Sequence, residues 1–185
     1  SAGIPESMAE LIIPVEYNNL AALEAVVAAH AHEAGTLLIE PVDYNCGCIT
    51  PAAGFLEAAR DLANQHELLL FFDEVQSFAK ASPGGAQQDF GVTPDLCTIG
   101  KSLGAGLPLS AILGRADLMD QYAPTGPVAH SGTFNAPLTS ILGGLVFVEQ
   151  IQRPEFWKTI NGLGDVLFAG LEEIAARSEV PVVFQ

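Results

Sequence analysis

Residues 68–106, LLLFFDEVQSFAKASPGGAQQDFGVTPDLCTIGKSLGAG, decide how this chain is built. The run 68–72 is apolar throughout and stops at two adjacent acids, Asp73 and Glu74. This is the pattern of a buried strand that delivers carboxylates at its C-terminal end. A second apolar run, 96–99, ends in Gly100-Lys101 and enters a small-residue stretch, 102–108. Open α/β sheets assemble their sites at such strand ends. One strand end therefore offers an acid and a later one offers an amine.

Outward from this segment, strands and helices alternate. Residues 10–15 (ELIIPV) and 36–40 (TLLIE) read as strands. A helix over 20–32 sets Leu20, Leu23, Val26 and Val27 on one face, with Asn18-Asn19 as its cap and Gly35 just past its end. A second helix over 52–66 turns Phe55, Leu56, Ala59 and Leu62 inward. This order predicts an α/β fold, a mostly parallel sheet joined by right-handed crossovers with helices on both faces. In that arrangement Glu40, Asp73 and Lys101 converge on one edge of the sheet. Residues 82–87 (SPGGAQ) read as a turn, and without a Walker lysine or G-x-G-x-x-G spacing they do not indicate a nucleotide. Further on come a short strand at 109–114, a short helix at 117–122 and a helix over 137–150. A long helical stretch follows, broken near Arg153-Pro154 and again near Asn161-Gly162, and a strand begins at 180–184. Ser1 in place of a methionine suggests a piece of a longer protein.

Of the 185 residues 49% are hydrophobic, enough for a substantial core in about one domain. The 22 acidic and 7 basic residues give a formal charge of -15, which argues against nucleic acid or an anionic membrane surface as partner. No apolar run is long enough to span a bilayer, and the expected setting is cytoplasmic. Cys46, Cys48 and Cys97 are an odd number in a large chain without a secretion signal, so no disulfide framework is expected. Cys46-Gly47-Cys48 lacks a second ligand pair and is only a weak metal signal. The expectation is no metal.

Each candidate taken alone has an ordinary explanation. Lys101 is one of three lysines; surrounded by Gly, Ala, Leu and Ile, its charged form is expected to be poorly solvated, leaving an amine that attacks carbonyls. A solvent-exposed lysine after a strand would look the same. Asp73 can cap a following helix, and Glu40 can be held by backbone amides. The segment HSGTFN, 130–135, puts hydroxyls and free amides at a helix entrance, which suits an anion as well as it suits capping by Thr133 or Asn135.

FFDEVQSF followed by PDLCTIGKSLGAGLPLSAILG resembles the core of the class III aminotransferases, fold-type I pyridoxal phosphate enzymes. The flanking segments EPVDYNCG and HSGTFN are similar to the branch holding glutamate-1-semialdehyde aminomutase and the aromatic β-amino-acid aminotransferases. The resemblance implies a three-layer large domain, incomplete here: 1–150 as its central part, 151–178 as connecting helices and 179–185 as the start of a small domain. It also implies pyridoxal 5'-phosphate as cofactor, with Lys101 as the Schiff-base lysine and Asp73 paired with the pyridine nitrogen. Val75 would pack on the ring, Gln76 would bond its phenolic oxygen, Asn45 and Glu40 would stand at its rim, and Thr133 would hold the phosphate across a homodimer interface. The implied activity is amino-group transfer on an amino acid or amino-aldehyde, as a transaminase or a 2,1-aminomutase. Lys80 is a candidate for a substrate carboxylate where some relatives carry arginine, though a solvated surface lysine reads the same way. Relatives extend further at both ends, so the isolated chain is expected to bind cofactor weakly or not at all. A catalytically silent dimerisation or binding module with the same fold is the alternative.

Overall fold

A computed structural model describes residues 3–182 and 184 of the chain. Its elements in order are α1 (Glu6–Ala9), α2 (Leu20–His30), β1 (Thr36–Ile39), α3 (Phe55–Gln65), β2 (Leu69–Glu74), α4 (Gly85–Phe90) and β3 (Leu96–Ile99). A 3-10 turn (Lys101–Gly104), β4 (Ala111–Gly114), α5 (Ala116–Met119), α6 (Leu138–Ile151) and α7 (Pro154–Ala176) follow. The strands form one sheet in the order β1-β2-β3-β4. β1, β2 and β3 run parallel, and β4 returns antiparallel beside β3. The mostly parallel sheet with helices is the α/β architecture expected of a fold-type I transferase large domain.

The pleat sorts the strand residues by face. Leu70 and Phe72 of β2, Cys97 and Ile99 of β3 and Ile39 of β1 point to one face, where they join Leu23 and Val27 of α2 and Phe55, Leu56, Ala59 and Ala63 of α3 in a single core. Burying Leu56, Leu70 or Phe72, each almost fully enclosed, contributes roughly 1.5–3 kcal/mol apiece. α2 begins as expected, with the Asn19 side chain accepting from Ala22 N at 3.0 Å. Asn18 does something else. Its amide donates to Thr50 O (2.9 Å) and accepts from Ala52 N (2.7 Å), pinning the entrance of α3.

Four expectations are corrected. Residues 10–15 form no strand: they run past β1 without a ladder partner, and Leu11 and Ile12 are exposed. Apolar composition alone does not make a strand without a neighbour. The turn at 82–87 leads directly into the short helix α4. α7 runs unbroken through Asn161-Gly162, because a lone glycine costs only about 1 kcal/mol in a helix interior. Val180 to Val182 lie in no strand, and Val183 falls outside the described residues.

One polar cluster ties the sheet together at the end away from Lys101. The buried Asp95 carboxylate accepts from Leu70 N (2.8 Å), Arg60 Nη1 (2.8 Å) and Arg115 Nη1 (2.8 Å). Burial pushes this carboxyl up, but the backbone N–H and the two guanidinium groups outweigh it and hold the group below its ordinary value. Asp95→Ala should cost about 3 kcal/mol, because it leaves Arg60 without a counter-charge. Urea unfolding checks this. The carboxylate's contribution is complete above the unfolded-state value near about pH 4 and is lost as the pH falls through the lower folded value. The acid limb of a wild-type stability curve should therefore be steeper than that of the variant.

Candidate functional site

Parallel register lines up three strand ends. Ile39 pairs with Phe72, and Phe72 with Cys97, so Glu40, Asp73 and Thr98 stand abreast, with Gly100-Lys101 just beyond. Asp73 and Glu74 then part company, because successive side chains leave a strand on opposite faces. Asp73 is half-exposed on the open face. Its Oδ1 accepts from Val75 N at 3.0 Å and from Thr98 Oγ1 at 3.1 Å.

Glu74 turns inward and is fully buried. It accepts from Ser77 Oγ (3.0 Å), Ala86 N (2.6 Å), Gln87 N (3.3 Å) and Gln87 Nε2 (2.9 Å), and so caps α4. Gly85 has φ +70°, and a Cβ there would collide with Glu74 Oε2; only glycine lets α4 start this close. Two neighbouring acids thus have separate tasks, one at the ledge and one in the frame.

The rim is a hydrogen-bonded row. Gln76 Nε2 donates to Asn45 Oδ1 (3.0 Å), and Asn45 Nδ2 donates to Glu40 Oε1 (3.2 Å). Asn45 is presented by a pinched loop, closed by reciprocal bonds between Asp43 and Ile49 (2.9 and 3.0 Å). Below it, Tyr17 donates to Pro41 O at 2.7 Å. Burial, with the carboxylates of Asp43 and Glu40 adding to it, pushes the Tyr17 hydroxyl up to about 12. It stays a proton donor and anchors the backbone after Glu40.

Lys101 starts the 3-10 turn with φ +43°. Gly100 sits against Val75: a Cβ at Gly100 would be 3.5 Å from Val75 Cγ1. Val75, Gln76 and Lys101 therefore border the same ledge as Asp73. The shielded amine expected from the small neighbours is not found, since Lys101 is exposed. Small side chains around it leave it open instead of enclosing it. A cavity of about 570 Å³ lies elsewhere, between residues 11–15, α2 and β1. Another, of about 340 Å³, lies beside Tyr44, Lys80 and Phe90.

Thr133 is exposed in the loop before α6, and among the described residues no bond joins it to the ledge. Neither Thr133 nor Asn135 caps α6, whose N-cap is Pro137 without a side-chain bond. Arg60 and Arg115 are engaged by Asp95, which removes both as anchors for a substrate carboxylate. Sequence reasoning missed the role of Asp95 because its partners lie 35 and 20 positions away. It missed Thr98 because the register that sets Thr98 opposite Asp73 is not written in either strand's own pattern. Cys46 is free and exposed, and its bond with Asp43 pushes its thiol up. Among the described residues no three His, Cys, Asp or Glu side chains group to hold a metal, and no helix is long and apolar enough to cross a membrane.

The Asp73 carboxylate fits a protonated ring nitrogen, because both donors sit on Oδ1 and no described donor reaches Oδ2. A family model, "Aminotransferase class-III", matches residues 6–183. The chain is 39% identical over 182 residues to glutamate-1-semialdehyde 2,1-aminomutase 1 of Macrococcus caseolyticus, covering 98% of this chain and 42% of that protein. It superposes on an omega-transaminase from Sphaerobacter thermophilus with a TM-score of 0.91 at 32% identity, over 98% of this chain and 42% of that one. A β-phenylalanine aminotransferase from Variovorax paradoxus gives 0.81 at 35% identity, over 89% and 38%. The chain thus spans less than half the length of the relatives it matches.

Glu74→Ala should lower stability by about 3 kcal/mol, since it strands four buried or half-buried donors. Asp73→Ala should cost less than about 1.5 kcal/mol, because its donors can turn to water. Parallel urea melts of the two variants check the division.

Proposed function

This chain belongs to the class III aminotransferases, and from that membership we propose that it forms the cofactor-holding core of an enzyme that transfers amino groups with pyridoxal 5'-phosphate. The observation that carries the reading is the ledge, where an acid with one unengaged oxygen, a free lysine and a rim amide stand on adjacent strand ends. Bound there, the cofactor supplies an electron sink for the substrate carbon beside the amino group.

The chain's own residues do the rest. Lys101 would supply the amine that holds the cofactor, and the same amine, when free, would move a proton to or from the substrate carbon. Asp73 Oδ2 keeps the pyridine nitrogen protonated, without which the sink is weak. Val75 packs on the ring. Gln76 donates to the phenolic oxygen and is kept in place by Asn45, which Glu40 steadies in turn. Thr133 serves the phosphate of a second subunit in a homodimer. The exposed apolar surface of Phe134, Leu138, Leu142 and Leu145 supports that pairing, since patches of this kind mark association surfaces. Substrates are amino acids or amino-aldehydes, and the three free thiols suit a reducing cytoplasm.

Borohydride reduction of the complete protein with pyridoxal 5'-phosphate, followed by peptide mapping, should find the pyridoxyl group on Lys101 and not on Lys80 or Lys158. Label spread over the other lysines, or none, overturns the reading. An amino donor supplied without an oxo-acid acceptor then separates the activities. Continued turnover identifies a mutase; a single half-reaction identifies a transaminase.

A further inference from the structure

We propose that Thr98 is a positioning residue for Asp73, fixing which carboxylate oxygen is presented to the cofactor ring. The inference rests on the assignment of Asp73 as the partner of the pyridine nitrogen and goes beyond it.

Thr98 stands directly opposite Asp73 in the parallel register of β2 and β3. Its hydroxyl donates to Asp73 Oδ1 at 3.1 Å, and Val75 N donates to the same oxygen at 3.0 Å. The two donors differ in kind. Val75 N belongs to the turn that follows Asp73 and travels with it. The Thr98 hydroxyl comes from a separate strand, so it references the carboxylate to β3, the strand that also leads to Lys101. A β-branched side chain in a strand has restricted χ1, so this donor stays put.

A carboxylate held by Val75 N alone can still swing about that one bond. The second donor on Oδ1 stops the swing, and because the group is planar, Oδ2 is fixed as well. That oxygen has no described donor of its own and stands free for one. Acid and amine are thereby held at a constant separation through β3. Preorganisation of this sort matters because small misplacement of a partner loses much of its effect.

Thr98→Val keeps the shape and removes the donor, Thr98→Ala removes it without added bulk, and Thr98→Ser puts it back. In the complete protein, Thr98→Val and Thr98→Ala should weaken pyridoxal 5'-phosphate affinity by roughly fivefold to tenfold, the worth of about one partly exposed hydrogen bond. They should also shift the pH dependence of the bound cofactor's visible absorption, which reports the ring proton. Thr98→Ser should restore both. Melting of the cofactor-free variants should match wild type, so that a general loss of fold cannot produce the pattern. Asp73→Asn, run alongside, is expected to be more severe than either. If Asp73→Asn perturbs affinity and absorption while Thr98→Val and Thr98→Ala behave like wild type, or if Thr98→Ser fails to restore them, the positioning role is overturned and the Asp73 assignment survives. If Asp73→Asn itself changes nothing, the assignment falls and the positioning role falls with it.

Discussion

The parallel register of β1, β2 and β3 is the constraint on which the ledge depends. A parallel pair brings equivalent ends of its strands together, and the side-chain period of two then decides which residue of each end faces the ledge. A slip of one position in β2 would turn Asp73 into the core and Glu74 out of it. Glu74 itself resists such a slip. Its carboxylate is buried against the first turn of α4, with Ala86 N at 2.6 Å, and moving it would strand both the acid and the amides it satisfies. The acid that takes no part in the proposed chemistry therefore sets the position of the one that does.

At the other end of the strands Asp95 does comparable work with opposite partners. Arg60 reaches it from α3 and Arg115 from the end of β4, while Leu70 N donates from β2. Four elements meet at one carboxylate, which locks the order of the strands. In a chain with only seven basic residues, committing two of the arginines to this clamp leaves little cationic charge for the ledge. Lys101 stands just beyond the end of β3, exposed, with no ion pair among the described residues.

Much of this was legible in the sequence, and the parts that were not share a cause. β3 falls on residues 96–99 as expected, β2 and α3 shift by no more than three residues, and Glu40, Asp73 and Lys101 stand at one edge, because apolar runs ending in polar residues carry strand ends in their pattern. Asn45, Val75 and Gln76 were legible only through the family resemblance. The Asp95 clamp and the Asn18 staple carry no such pattern, since they join residues 20 to 35 positions apart. Residues 10–15 misled because hydrophobicity says that a segment wants cover, not what will cover it. The exposure of Lys101 misled for the converse reason: small neighbours leave an amine open as easily as they enclose it.

Lys101, a non-glycine residue at φ +43°, has an uncommon backbone conformation, and such positions cost of order 1 kcal/mol and persist only where the surroundings over-determine them. The surroundings here do so. Leu103 is buried two residues on, its N–H returns to Gly100 O at 3.0 Å, and Leu107 N closes on Gly104 O at 2.9 Å. α6 presses on the same turn through Gly143 and Gly144: a Cβ at Gly144 would meet Leu109 Cδ2 at 2.6 Å and lie 3.3 Å from Leu103 O. The glycine pair lets the helix come close enough to hold the turn, and the turn holds the lysine backbone in its left-handed conformation. The Lys101 side chain is thus exposed on a backbone that this packing holds in place, so the amine can change position while its attachment point stays fixed.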